Sequence, residues 1–93
     1  MNTYITVLET KIYDNIDKFY DLIDEIKEID NNLKTNDGEV SEDMKILMLE
    51  IVEHYDKVKK DLIQSLEEYF TEEVKYNHPV NSAFRKLYKR IKV

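Results

Sequence analysis

Apolar side chains recur at spacings of three and four residues through the first third of the chain, which predicts an amphipathic helix over about residues 3–33. The repeating positions are Ile5, Leu8, Ile12, Phe19, Leu22, Ile26, Ile29 and Leu33. They follow a heptad, with one interruption where Asn15 replaces an apolar residue. Asn15 therefore has two interpretations: a buried polar residue that fixes helix register or oligomeric state, or a residue where the stripe opens to water.

The face opposite this stripe is acidic. On a helical wheel it collects five carboxylates, which we call the acidic ridge: Asp14, Asp17, Asp21, Asp24 and Glu28. Such a row is typical of a solvated helix face, and it can also attract a basic groove on a partner. Tyr13 and Tyr20, the tyrosine flank, lie beside Ile16 and Ile23 at its border, where a ring buries area and keeps its hydroxyl in water. The ridge and the flank form the predicted partner-binding surface.

Residues 34–41 interrupt the apolar pattern and predict a chain reversal. The segment Asn36-Asp37-Gly38 contains the only glycine of the chain and can supply the positive φ angles of a turn. Ser41 is the predicted N-cap of a second helix over about residues 42–75. Because the connection is short, the two long helices are expected to be antiparallel neighbours.

The second helix carries two apolar edges. Its main stripe, which predicts the contact with the first helix, consists of Met44, Leu47, Met48, Ile51, Tyr55, Val58, Leu62, Leu66 and Tyr69. A second edge, rotated by about 80 to 100° on the same wheel, consists of Val52, Ile63, Phe70 and Val74. A two-helix hairpin needs only one stripe. The second edge therefore predicts a third packing element, from the same chain or from another copy.

A short basic helix over about residues 79–92 is the predicted third element. Pro79 ends the second helix and can open the third, capped by Asn77 or His78. Its apolar stripe consists of Val80, Phe84, Leu87 and Ile91. A helix of about 13 residues spans about 20 Å, so it can cover Ile63, Phe70 and Val74 of the second edge but not the loop end of the hairpin.

The uncovered remainder predicts self-association into a homodimer. Its residues are Val52, Met48, Ile23 and Ile29. Two hairpins that share these surfaces would form a four-helix core. The predicted fold class is all-α: a long antiparallel helical hairpin plus a short basic C-terminal helix, in a single domain over residues 1–93 that dimerises into a helical bundle.

The composition agrees with such a bundle, because 42% of the 93 residues are hydrophobic and 37% are charged, with one Gly and one Pro. The absence of Cys excludes disulfides, thiol nucleophiles and cysteine-based zinc sites. Residues 1–10 contain neither a basic segment nor a long apolar run, so we expect no secretory signal, no membrane span and a cytoplasmic location. Frequent Ile, Lys, Asn, Asp, Glu and Tyr suit an AT-rich genome such as that of a phage or virus, for which the location is the host cytoplasm.

Charge divides sharply along the chain. The net charge is −6, yet residues 1–74 carry −12 and residues 75–93 carry +6. Asymmetry of this kind usually marks an interaction surface or a tail. The cations of the tail include Arg85, Lys86, Lys89 and Arg90. They can form the solvated face of a bundle helix, contact nucleic acid, or lie on a helix that docks its apolar face on a membrane surface or a groove.

Candidate chemical groups are few. The nearest approach to a metal cluster is Glu50, Glu53 and His54, which lie beside the apolar stripe without a clear inward carboxylate on the first helix to complete the ligand set. The loop around Gly38 does not match a calcium site, since Leu33 and Met44 would take the positions of acidic ligands. Ser65 and Ser82 have no His at an activating spacing. We expect no catalytic residue, metal or cofactor, and hence no enzyme.

These features predict a small acidic helical protein–protein interaction module, an adaptor or inhibitor that acts by occupying the surface of another protein. The alternative is a nucleic-acid-binding module that uses the basic C-terminal helix.

Overall fold

The computed structural model describes residues 3–35 and 40–92, and three helices make up most of this part of the chain. They are α1 (Thr3–Thr35), α2 (Glu42–Lys75) and α3 (Ser82–Ile91). The first two pack along each other as a hairpin, and α3 packs against α2, in a molecule of 54 × 19 × 18 Å. The predicted all-α hairpin with a short third helix is confirmed. The predicted reversal at Asn36-Asp37-Gly38 lies outside the described residues.

The beginning of α2 has the predicted cap. The Ser41 side chain accepts a hydrogen bond of 3.2 Å from the Met44 backbone N–H, and the Ser41 backbone is extended. Glu42 and Asp43 occupy the first turn, where carboxylates interact favourably with the positive end of the helix dipole. The cap satisfies one backbone donor that the helix itself leaves without a partner.

The end of α2 is a left-handed turn at Asn77. Its φ angle is 50°, a conformation that Asn tolerates better than most residues with a side chain. The His78 N–H donates to the Glu73 carbonyl oxygen at 2.9 Å, and the Asn77 N–H donates to that of Val74 at 3.4 Å. These two bonds form the Schellman pattern, which satisfies the last carbonyls of a helix and turns the chain away from its axis.

The predicted start of α3 at residue 79 is three residues too early. The cap is Asn81, whose side chain accepts a hydrogen bond of 3.1 Å from the Phe84 N–H. Asn77 cannot serve as this cap because its left-handed backbone is committed to ending α2, whereas a cap residue needs an extended backbone. The chain therefore uses the residues between Asn77 and Ser82 to turn back along α2.

The hydrophobic core lies in the half of the hairpin that contains the start of α1 and the end of α2. Its buried residues are Ile5, Leu8, Ile12, Phe19, Leu22, Val58, Leu62, Leu66, Tyr69, Phe84 and Ile91. The stripes predicted from the sequence supply these residues. Towards the loop the same stripes are more open: Ile26 is 36% exposed and Leu47 is 44% exposed. In segments 23–35 and 40–57 no described residue is fully buried.

Aromatic rings dock α3 onto both long helices. The Phe84 ring is buried and packs edge-on against Tyr69 at 5.1 Å and against Tyr13 at 5.4 Å between ring centroids. Further along α3, Tyr88 packs against Phe70 at 5.4 Å. Val74 was predicted to lie under this helix, and that prediction is wrong: Val74 is 78% exposed. The late start of α3 places its contacts on neighbouring positions of α2 instead.

A buried carboxylate fixes the start of α3. Glu73 is 2% exposed, and its side-chain oxygens accept hydrogen bonds from the Asn81 backbone N–H at 2.7 Å and from the Arg85 guanidinium at 3.1 Å. The guanidinium carbon of Arg85 lies 4.6 Å from the centroid of the Phe70 ring. Glu73 thus joins the end of α2 to the cap and the first turns of α3.

Replacing Glu73→Ala should destabilise the protein by about 2 kcal/mol, because the Asn81 N–H and the Arg85 guanidinium lose their acceptor. Urea unfolding followed by circular dichroism measures this change, and hydrogen exchange in residues 82–91 shows whether α3 undocks. Glu72→Ala, one position earlier on α2, is the matched control and should stay within about 0.5 kcal/mol of the parent. Equal effects of the two substitutions would contradict the role of the buried carboxylate.

Candidate protein-binding surfaces

The acidic ridge is a continuous, solvent-facing row on α1. All five carboxylate residues, from Asp14 to Glu28, are exposed. They span 14 residues, which is about 21 Å of helix at 1.5 Å per residue. Within residues 3–35 and 40–92 none of them forms an ion pair with Lys or Arg. The row is therefore exposed to solvent and has no ion pair with Lys or Arg in the described part of the chain.

One residue of the tyrosine flank, Tyr13, contacts α3. Tyr13 is 55% exposed and Tyr20 is 47% exposed, so both rings present area to solvent. Tyr13 also packs against Phe84 of α3, whereas Tyr20 contacts only its neighbour Phe19 among the ring contacts of the described residues. Tyr20 is thus the freer of the two rings, and Tyr13 contributes to the fold as well as to the surface.

The four predicted cations of the tail separate into two groups. Lys86, Lys89 and Arg90 are exposed on α3, and in the described part of the chain none of them forms an ion pair. Arg85 is half-buried and is bound to Glu73, so its charge is used inside the protein. At the end of the helix Lys92 donates to the Tyr88 hydroxyl, and this hydrogen bond, with Glu67 nearby, raises the pKa of the Lys92 amine.

An apolar groove of about 260 Å³ opens between α1 and α2 near the loop end of the hairpin. Its lining consists of Ile26, Lys27, Ile29, Asp30, Leu33, Met48, Ile51 and Val52. Three of the four residues predicted for self-association, Ile29, Met48 and Val52, therefore line one groove. The fourth, Ile23, is half-buried and packs against the hydrophobic core. We call this feature the loop-end groove.

Asn15 lies at the edge of the core. It is half-buried and lines a shallow depression with Val7, Lys11 and Lys18, among others. Three charged side chains, Lys11, Asp14 and Lys18, share this depression, so the stripe opens to water on this side of α1.

A buried polar chain, which sequence analysis missed, connects α1, α2 and α3. The Tyr69 hydroxyl donates to a Glu9 carboxylate oxygen at 2.9 Å, and Glu73 binds Asn81 and Arg85 on the other side of the same junction. Burial, followed by the hydrogen bond to Glu9, raises the pKa of Tyr69 to about 12. The available signal was a carboxylate on an apolar stripe, since Glu73 follows the buried Leu66 by seven residues.

The remaining candidates for chemistry do not converge. Glu50, Glu53 and His54 are exposed on α2. Across the described ranges 3–35 and 40–92, no group of three or more potential metal ligands occurs. In the same ranges no helix is both long and apolar enough to cross a membrane.

Comparison with protein-family models, with curated proteins and with solved structures finds no match to this chain. The class that the fold defines is therefore structural: an all-α helical hairpin with a docked third helix. Function has to be inferred from its surfaces.

The raised pKa of Tyr69 predicts a loss of stability at alkaline pH. A phenol with a pKa of about 10 in the unfolded chain and about 12 in the fold favours folding while it is neutral, and this contribution disappears as the pH rises from about 10 to about 12. Tyr69→Phe removes this contribution. The gap in unfolding free energy between wild type and variant should narrow over that range. The absorbance at 295 nm of the wild type minus that of the variant, followed against pH, should give a titration midpoint near 12 for Tyr69. A midpoint near 10 would contradict the buried hydrogen bond.

Proposed function

We propose that this chain is a small acidic helical interaction protein, an adaptor or inhibitor that acts by occupying a basic surface of another protein. The observation that carries the proposal is the acidic ridge, whose carboxylates are all exposed and unpaired in the described part of the chain. The proposed role is binding without catalysis. Its effect on a partner is to cover a surface that another molecule would use.

The ridge costs helix stability, which supports a role beyond solvation. Its members repeat at spacings of three and four residues, so their like charges face each other along α1. Each such pair destabilises a helix by about 0.2–0.5 kcal/mol. Lys18 and Lys27 lie three or four residues from ridge members and relieve part of this repulsion, although neither forms an ion pair with the ridge in the described part of the chain. The cations of a bound partner would remove the repulsion that remains between the carboxylates of the ridge.

The hairpin presents the ridge in a preformed geometry. The stripe on the other face of α1 packs into the core through residues such as Ile12 and Phe19, so the row of charges is already straight before a partner arrives. Binding then requires little ordering of the chain, which lowers its entropic cost. The long-range field of the row also accelerates encounter with a basic surface. Tyr20, exposed at the border of the ridge, adds an aromatic anchor.

The triple substitution Asp17→Lys, Asp21→Lys and Asp24→Lys should abolish capture of a basic partner protein while leaving the helical content unchanged. Capture from a lysate of the source cell, identified by mass spectrometry, provides the partner. Purified partner then gives association rates by surface plasmon resonance. Because steering depends on charge, the wild-type association rate should fall about tenfold or more between low and high salt.

The matched control removes charge from the other long helix. Glu50→Lys, Glu53→Lys and Asp61→Lys change the net charge by the same amount at exposed positions of α2. This variant should retain most of the capture. If the two triple variants lose capture equally, net charge alone is responsible and the ridge has no specific role. If neither loses capture, the ridge is not the binding surface.

A second candidate function is nucleic-acid binding through α3, favoured by the three exposed cations Lys86, Lys89 and Arg90. Arg85 contributes little to such a contact because Glu73 already binds it. Fewer phosphate contacts predict weaker binding with a shallow salt dependence. Electrophoretic mobility shift at about 50 mM salt with micromolar protein tests this candidate, since non-specific binders respond under these conditions. A shift that Lys86→Gln, Lys89→Gln and Arg90→Gln together remove would establish it.

A further inference from the structure

The loop-end groove and α3 lie on the same side of the hairpin. On α1, Tyr13 contacts α3 and Lys27 lines the groove, and 14 residues, or two heptads, separate them. On α2, Glu73 binds α3 and Val52 lines the groove, and 21 residues, or three heptads, separate them. Residues at heptad spacing share one face in packed helices. The furrow, which is the depression that runs along one side of the hairpin between α1 and α2, is therefore filled by α3 at one end. At the other end it is open and forms the loop-end groove.

The open end of α2 has the composition of a buried helix. Ile46, Leu47, Met48 and Leu49 are consecutive, and three of them are exposed by 55%, 44% and 65% in the single chain, with Met48 half-buried in the groove. Four consecutive apolar residues point to all sides of a helix, a pattern that belongs to helices with neighbours on more than one side. α1 covers one side only.

We propose that the loop-end groove is occupied by the same groove of a second copy, in an antiparallel two-fold dimer. This inference goes beyond the binding function of the ridge, because it concerns the groove between α1 and α2. A two-fold axis through the groove would bring Met48, Ile29 and Val52 of one copy against the groove of the other. Such self-complementary contact is how apolar patches are buried in most homodimers, and the product is a four-helix bundle in the middle of the assembly.

The position of α3 sets the length of the overlap. α3 begins beside Glu73 and runs antiparallel to α2. The residue that caps its end, Lys92, places its Nζ 3.9 Å from the Glu67 Oε1. The open furrow therefore extends from about residue 63 of α2 to its start at Glu42, which is about 30 Å of helix. With a molecular width of 18–19 Å, the overlapping face covers about 550 Å², which is close to the lower limit of about 600 Å² per partner for stable interfaces.

Charge selects the antiparallel orientation. Residues 82–92 carry a net charge of +5, whereas the first turn of α2 carries the exposed carboxylates Glu42, which also pairs with Lys45 at 3.3 Å, and Asp43. In the antiparallel dimer the end of α3, with exposed Lys89 and Arg90, meets the first turn of α2 of the second copy, with Glu42 and Asp43. A parallel dimer would place the basic ends against each other and the acidic ends against each other. The second copy thus supplies both the apolar and the ionic complement of this face.

The oligomeric state of the full chain tests the proposal. Sedimentation equilibrium from low to high micromolar concentration should show a monomer–dimer equilibrium. Val52→Lys should raise the Kd about 100-fold, because it buries a charge in an apolar contact. Since Val52 is 57% exposed in the single chain, the variant should fold normally. Val74→Lys is the matched control, at an apolar position of α2 that is 78% exposed outside the groove, and it should leave the Kd unchanged.

A charge exchange tests the orientation. The double variant Lys89→Glu and Arg90→Glu should weaken the dimer about tenfold. The double variant Glu42→Lys and Asp43→Lys should weaken it by the same amount. The chain that carries all four substitutions should recover the wild-type affinity. In a parallel dimer, the first pair would strengthen association. A monomer at all concentrations, or an unchanged Kd for Val52→Lys, would overturn the proposal and leave the groove to a helix of a different protein.

Discussion

Three parts of the protein meet at the carboxylate of Glu73: the last turn of α2, the cap residue of α3 and the Arg85 side chain. A buried carboxylate is costly unless hydrogen bonds replace its hydration, and here the backbone N–H of Asn81 and the guanidinium do so. The direction of α3 follows from these bonds, because they fix where the helix begins and lay it back along α2. Phe84 then falls between Tyr69 and Tyr13 and closes the core. The short helix is too small to be stable alone, so its presence depends on this junction.

The heptad pattern was sufficient to predict the two long helices and their contact, since residues such as Ile12 and Leu62 are fully buried where the stripes placed them. The pattern could not predict the burial of each position, because periodicity reports which face of a helix is apolar and not whether a neighbour covers that face. Leu47, for example, shares a stripe with Leu62 and is 44% exposed. The start of α3 was missed for another reason. Asn77 and Asn81 are both good cap residues, and only the left-handed backbone at Asn77 assigns one to each helix. The ridge could be located from sequence alone because helix geometry determines it.

The surfaces divide the molecule by chemistry. The ridge occupies the outer face of α1, the free cations lie on α3, and apolar area is concentrated at the loop end. Acidic, basic and apolar surfaces are therefore found at different places on one small hairpin. The protein, with a net charge of −6, carries a strongly basic helix that docks through aromatic rings and through the Arg85–Glu73 ion pair.

The confinement of the core to one half of the hairpin has a kinetic consequence. Contacts in that half join residues far apart in sequence, as in the bond between Tyr69 and Glu9, which are 60 residues apart. A helical protein usually folds quickly because its contacts are local, whereas here the loop end, where local contacts would nucleate the hairpin, contributes the least burial. The chain must close most of its length before its best-packed contacts form. In its transition state for folding, the start of α1 should therefore already contact the end of α2, which is uncommon for a helical hairpin.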